Sequence, residues 1–168
     1  MSRQYLSRDG DRLVRRQGGE TLWVEPWGEH SLRVRATRNR AIGTGQDWAL
    51  EQPGPSTPDI TIADDDADIA ARISNGRITA TISRYGWLEF TNQRGDVLLR
   101  EYWQVLGGGA ETSSIAIPGR AYKPVLGSDD YELTVSFRPQ AGERIYGLGQ
   151  RQIAELDMKG CTLELAHR

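Results

Sequence analysis

The chain has one cysteine and two histidines in 168 residues. The lone Cys161 excludes an intramolecular disulfide framework. His30, His167 and Cys161 offer no zinc-ligand spacing. With the two histidines far apart and no serine in a tight elbow, a nucleophile–base triad cannot be assembled either. No metal and no cofactor is expected. There is no apolar run of 18, so no transmembrane helix is expected. The N-terminal stretch "MSRQYLSRDGDRLVRR" lacks the apolar segment of a secretory leader. The net charge is −2, so there is no positive excess to recruit nucleic acid or an anionic membrane. These absences point to a cytoplasmic protein with neither of those partners.

What is present is alternation. In "HSLRVRATR" Leu32, Val34 and Ala36 fall on one face and Arg33, Arg35 and Thr37 on the other, the period of two of a half-buried strand. "RITATIS" repeats it with Ile78, Ala80 and Ile82. "YELTVSF" does so with Tyr131, Leu133, Val135 and Phe137. "CTLELAHR" predicts a last strand over 161–166. Turn signals separate the runs: Asn75-Gly76, Tyr85-Gly86 and Arg94-Gly95-Asp96. Asn75-Gly76 is the strongest, because both residues tolerate the positive φ of a type I′ hairpin turn. No long period of 3.6 occurs. Many short strands with regular turns predict an all-β, antiparallel sandwich or barrel, and the length fits one domain over 1–168.

Two stretches interrupt the pattern. Gly43 to Asp59 holds three prolines and reads as a loop. Leu106 to Pro124 reads as a loop or an irregular edge. Long loops on a β scaffold either carry function or stay disordered.

The motifs that suggest chemistry are thin. Gly147-x-Gly149 begins a dinucleotide fingerprint, but Gln152 stands where its third glycine belongs and no βαβ unit surrounds it. "DDDAD" from Asp64 begins like a calcium loop, but Ile69 and Asn75 occupy its glycine and glutamate positions, leaving a solvated acidic turn. Glu143, Glu155 and Asp157 contain a possible carboxylate pair, although glycosidic cleavage needs such groups about 5–10 Å apart, which spacing alone does not give. The residues themselves assemble no catalytic centre. The five tryptophans have faces suited to sugar rings, but a sandwich core also needs large side chains. Trp23 and Trp87 are expected in the core. Trp48, in the Pro/Gly loop, is expected to touch something outside the domain.

Three ordered blocks carry a resemblance: "VEPWGEHSLRVRATR", "NGRITATISRYGWLEFTNQRGDVLLRE" and "ERIYGLGQRQIAELDMKG". Together, over roughly Leu13 to Arg168, the chain resembles the N-terminal, galactose-mutarotase-like β-sandwich of family-31 glycoside hydrolases, the α-glucosidase and α-xylosidase family. Met158 is a mild departure from the family's Leu-Asp-Leu-Lys-Gly. The resemblance implies a sandwich incomplete at its C-terminal end, an N-terminal fragment that packs on a catalytic (β/α)8 barrel of the same longer chain and helps shape a carbohydrate pocket. The family's catalytic aspartates sit on that barrel, which needs about 250 residues. No catalytic residue is therefore carried over, and the isolated chain is expected to be inactive.

In this frame Gly147 and Gly149 end a strand in a tight turn, and Asp157, Lys159 and Gly160 shape the next one. Gln150, Arg151 and Gln152, with Trp48 behind them, are the candidates for substrate or barrel contact. A freestanding carbohydrate-binding or assembly module is the alternative reading. A strand over 161–166 without further partners would also favour self-association by edge pairing or segment exchange.

Overall fold

The computed structural model describes residues 5–43, 50–63, 67–106, 115–147 and 156–162. The chain forms two compact units, Met1–Phe137 and Arg138–Arg168. All named elements are strands. No helix among the described residues is long and apolar enough to cross a membrane.

The first unit opens with β1 (Leu6–Asp9), β2 (Arg12–Gln17), β3 (Glu20–Pro26) and β4 (Leu32–Thr37), which form a four-stranded antiparallel sheet in that order. A five-stranded antiparallel meander follows: β5 (Asp59–Ile62), β6 (Ile69–Asn75), β7 (Ile78–Ser83), β8 (Leu88–Asn92) and β9 (Val97–Arg100). Two hairpins complete it: β10 (Gln104–Leu106) with β11 (Ile115–Ile117), and β12 (Arg120–Pro124) with β13 (Tyr131–Val135). The antiparallel all-β architecture expected from the sequence is observed.

The two large sheets share one core. Leu6, Leu13, Leu22 and Val24 of the first meet Ala71, Ile73, Ala80, Ile82 and Leu88 of the second. Each buried Leu, Ile or Val side chain contributes on the order of 1.5–3 kcal/mol of transfer free energy, and each alanine methyl less. Pairing selects the face: Leu13 lies opposite Val24, and Leu22 opposite Ala36.

Four expectations change. First, Trp23 is not in the core. It lies between Leu22 and Val24, so strand alternation turns it outward, where Arg12 and Arg35 stack on its ring at 4.3 and 4.9 Å. Trp87 is also only half-buried, just before β8 begins. Second, Leu106 to Pro124 contains β11 and β12, joined through Pro118-Gly119. Its glycines and prolines obscure two short alternating runs.

Third, the turn after β6 is centred one residue later than the Asn-Gly signal suggests. Asn75 pairs with Ile78, leaving Gly76 and Arg77 as the two linking residues. Asn75 is held in the strand by its side chain, whose Nδ2 donates to the carbonyls of Gly28 and Ser31 at 2.7 and 2.8 Å. Fourth, Cys161 and Thr162 are not in a strand. The Cys161 amide donates to the Met158 carbonyl at 3.0 Å, so Cys161 still belongs to a turn. Residues 163–166 lie outside the described residues.

In the second unit, Asp157 organises the backbone. Its Oδ1 accepts the amides of Ile145 and Lys159 at 2.9 and 3.1 Å. Lys159 Nζ donates to the Gln140 carbonyl at 3.0 Å and lies 3.4 Å from the Glu143 carboxylate. Gly147 and Gly160 have φ of 98° and 80°. The Asp-x-Lys-Gly step is thus a turn device.

These bonds, Ile145's first, hold the Asp157 carboxyl below its usual range. A depressed folded-state pKa contributes stability that is present above the unfolded value of about 3.9 and lost as pH falls through the folded value. The Ile145 amide proton should therefore titrate in an NMR pH series with a midpoint below about 3.9, and Asp157→Asn should abolish that titration. A midpoint at or above that value would contradict the assignment.

Candidate binding site

Alternation gives three polar residues the core-facing parity of the four-stranded sheet, of which Arg15 and Glu20 are buried and Gln17 is exposed. Arg15 and Gln17 share parity with Leu13 on β2, and Glu20 shares parity with Leu22 and Val24 on β3. Glu101, directly after β9, lies opposite Leu88, to whose carbonyl its amide donates at 2.9 Å. Arg120 and Tyr122 come from β12. Burying such groups demands partners.

They find one another. Arg120 Nε donates to Glu20 Oε1 at 2.7 Å, and its Nη2 to Glu20 Oε2 at 3.1 Å and to the Gly86 carbonyl at 2.7 Å. Its Nη1 donates to both carboxylate oxygens of Glu101. Glu20 also accepts from the Tyr122 hydroxyl at 2.9 Å and from Arg15 at 3.3 Å. Glu101 Oε2 accepts the Leu88 amide at 2.8 Å. Two guanidinium groups and two carboxylates balance in charge. A Cβ on Gly86, where φ is 92°, would sit 2.3 Å from Arg15 Cζ, so a side chain here would strain the backbone and displace the Arg15 guanidinium from the cluster.

The electrostatics follow from this packing. Burial raises the Glu20 carboxyl, but hydrogen bonding and charge from Arg120 outweigh it and leave it below the usual range. Burial likewise works against the Arg120 cation, and Glu20 and Glu101 more than reverse that effect. Burial, then the Glu20 charge, push the Tyr122 hydroxyl up. Both Glu20 oxygens accept from two donors each, whereas at Glu101 burial outweighs Arg120 and the Leu88 amide and pushes the carboxyl above its usual range. The third buried carboxylate among the described residues, Glu25, is held by Arg35 at 2.7 Å.

Above this cluster opens a cavity of about 500 Å³. One wall is aromatic. Trp87 and Trp103 are near-parallel at 9° with ring centroids 5.4 Å apart, and Tyr85 continues the array at 5.9 Å from Trp103. Gln17, Arg38 and Tyr122 also line the cavity. Arg38 lies over the Tyr122 ring at 5.1 Å. Aromatic faces beside fixed donors and acceptors are the makings of a small-molecule site.

The site residues expected from the sequence fall elsewhere. Trp48, Gln150, Arg151, Gln152 and Gly149 lie outside the described residues. Asn75 and Gly76 sit where the β6–β7 hairpin meets the Gly28–Ser31 turn, and Asp157, Gly147 and Gly160 belong to the second unit. No cluster of metal-ligating side chains occurs among the described residues. The signal that could reveal the buried cluster is a charged residue at inward parity, at Arg15 and Glu20. It becomes visible only once β2 and β3 are placed in register.

No protein-family model matches the chain. Among curated proteins, it is 40% identical over 159 residues to an uncharacterised family-31 glucosidase, ORF2, of Pseudescherichia vulneris, covering 89% of this chain and 29% of that protein. Among solved structures it matches a GH31 α-xylosidase from a soil metagenome, crystallised with xylose, at 42% identity and a TM-score of 0.80. That match covers 97% of this chain and 25% of the other. The chain thus spans between a quarter and three-tenths of the length of these relatives. Sequence and fold together relate it to the glycosidases of family 31, in agreement with its resemblance to their N-terminal β-sandwich.

Proposed function

We propose that this chain serves as the N-terminal sandwich domain of a retaining α-glycosidase acting on α-glucosides or α-xylosides. In this reading it packs against the catalytic barrel, helps shape the sugar pocket, and is not catalytic by itself. The observation that carries the reading is the alignment of nearly the whole chain, in sequence and in fold, with a quarter of an α-xylosidase. The engagement of Glu20, Glu25 and Glu101 by arginines supports the non-catalytic part.

A second cavity, of about 550 Å³, supports packing against further polypeptide. It is lined by Val34, Phe90, Leu98, Leu133, Val135 and Phe137 among others. Leu98, Leu133 and Phe137 remain 43–49% exposed. Protein interiors are normally close-packed, and contiguous apolar surface of this kind is normally covered.

Two measurements test the proposal. The purified chain should not hydrolyse p-nitrophenyl α-glucoside or α-xyloside, and turnover free of contaminants would overturn its non-catalytic role. Substituted for the matching segment of the metagenomic α-xylosidase, it should yield a folded, active hybrid. A folded hybrid without activity would count against the domain assignment.

A further inference from the structure

We propose that the cavity beside the buried arginine–glutamate cluster, within the first unit, is a pyranose-binding site. It rests on the family reading only for the class of ligand. The geometry comes from this chain alone.

The aromatic wall is the first part of the argument. Trp87, Trp103 and Tyr85 form a near-parallel array along one side of the cavity, and Tyr85 is 63% exposed. Rings serving only as core filler bury their faces among aliphatic side chains. These three instead stack on one another and line the cavity, with Arg84 over the Tyr85 ring at 5.4 Å. An aromatic face next to solvent favours a partner that is apolar on one side and polar at its edge, as a pyranose is, with its axial C–H groups and equatorial hydroxyls.

The polar side is the second part. Gln17, Arg38 and Tyr122 come from three different segments and line the same cavity. Gln17 and Tyr122 are already fixed, Gln17 Oε1 by Arg15 Nη2 at 2.6 Å and the Tyr122 hydroxyl by Glu20 at 2.9 Å. Polar groups held in place before a ligand arrives lose little entropy on binding. The buried cluster beneath then acts as a foundation. The cluster balances in charge, and Arg38, over the Tyr122 ring at 5.1 Å, brings a guanidinium donor to the cavity wall that suits the hydroxyls of a pyranose.

The third part is the backbone. Gly86 and Gly119 both line the cavity. A Cβ on Gly86 would collide with Arg15, and one on Gly119 would lie 2.9 Å from Glu101 Cβ. The two glycines let the chain close over the charged cluster while leaving the aromatic wall open.

The test uses the intact chain with methyl α-D-xyloside and methyl α-D-glucoside as probes. Saturation-transfer NMR should show transfer from protein to the ring protons of at least one glycoside, and tryptophan fluorescence should change saturably with it. Tyr85→Ala, at a largely exposed position, should weaken binding several-fold, and Trp103→Leu by about tenfold, corresponding to roughly 1.4 kcal/mol. Tyr85→Ala, which removes a largely exposed ring and one stacking contact, should lower the melting temperature only slightly and so keeps the test valid if Trp103→Leu folds poorly. Absence of saturable binding by either glycoside would overturn the proposal. So would binding that survives Tyr85→Ala unchanged, or preferential binding of a proline-rich peptide. An active hybrid α-xylosidase combined with no glycoside binding here would leave the domain assignment standing and remove only this site.

Discussion

Replacing Arg120 with methionine should lower the stability of the domain by about 3–5 kcal/mol. The arginine places donors on Glu20, on both oxygens of Glu101 and on the Gly86 carbonyl. Methionine fills much of the same volume but removes every one of them. Glu20 keeps Arg15 and Tyr122, while of the cluster's donors Glu101 keeps the Leu88 amide alone. The cost is therefore that of a buried carboxylate left without its cation, rather than that of one surface ion pair, which would be about 1 kcal/mol or less. For a domain of this size, a melting temperature lower by roughly 6–20 °C would follow. Adding Glu101→Gln to Arg120→Met should recover part of the loss, because the orphaned charge is then gone. An Arg120→Met protein that melts with the wild type would show that the cluster contributes nothing net.

That cluster also marks the boundary of what the sequence discloses. Strands are legible wherever apolar residues alternate without interruption, as in Leu32-Val34-Ala36 and Ile78-Ala80-Ile82. The period of two is a local property. The ion cluster is not local. Glu20 and Arg120 stand 100 residues apart, and each looks like an ordinary surface charge on its own segment. Trp23 and Trp87 depart from expectation for a related reason. Size suggests burial, but the pleat decides the face, and neighbouring Leu22, Val24 and Leu88 take the inner positions. The short strands β11 and β12 are hidden by the glycines and prolines around them. The family resemblance comes largely from the ends of strands and their turns instead, as where β3 runs through Glu25-Pro26 into the turn at Trp27-Gly28, and at Asp157-x-Lys159-Gly160, where the Asp157 carboxylate takes two backbone amides. Trp27 closes the first by donating its amide to the Ser31 carbonyl at 3.0 Å.

The hairpin at Gly76 should tolerate an added side chain poorly, and a second glycine supplies its control. Gly10 and Gly76 both occupy two-residue hairpin links, with nearly equal φ of 59° and 55°. An alanine at either site meets the same left-handed backbone cost, about 1–2 kcal/mol. Their surroundings differ. Nothing lies within 4 Å of a Cβ built on Gly10, whereas one on Gly76 would lie 2.2 Å from the Glu29 carbonyl oxygen and 2.1 Å from His30 Nδ1. The carbonyl belongs to the backbone of the Gly28–Ser31 turn, which Asn75 also grips through two hydrogen bonds. The β6–β7 hairpin of one sheet is thus seated directly on the β3–β4 turn of the other, and an added methyl group would have to separate them. Gly10→Ala should therefore cost about 1–2 kcal/mol, and Gly76→Ala about 3 kcal/mol or more, with Gly76→Val worse again because β-branching tolerates positive φ least. Chemical denaturation of the two alanine variants side by side isolates the steric part. Equal losses would mean that the Gly28–Ser31 turn yields freely and that the two sheets are not joined at this corner.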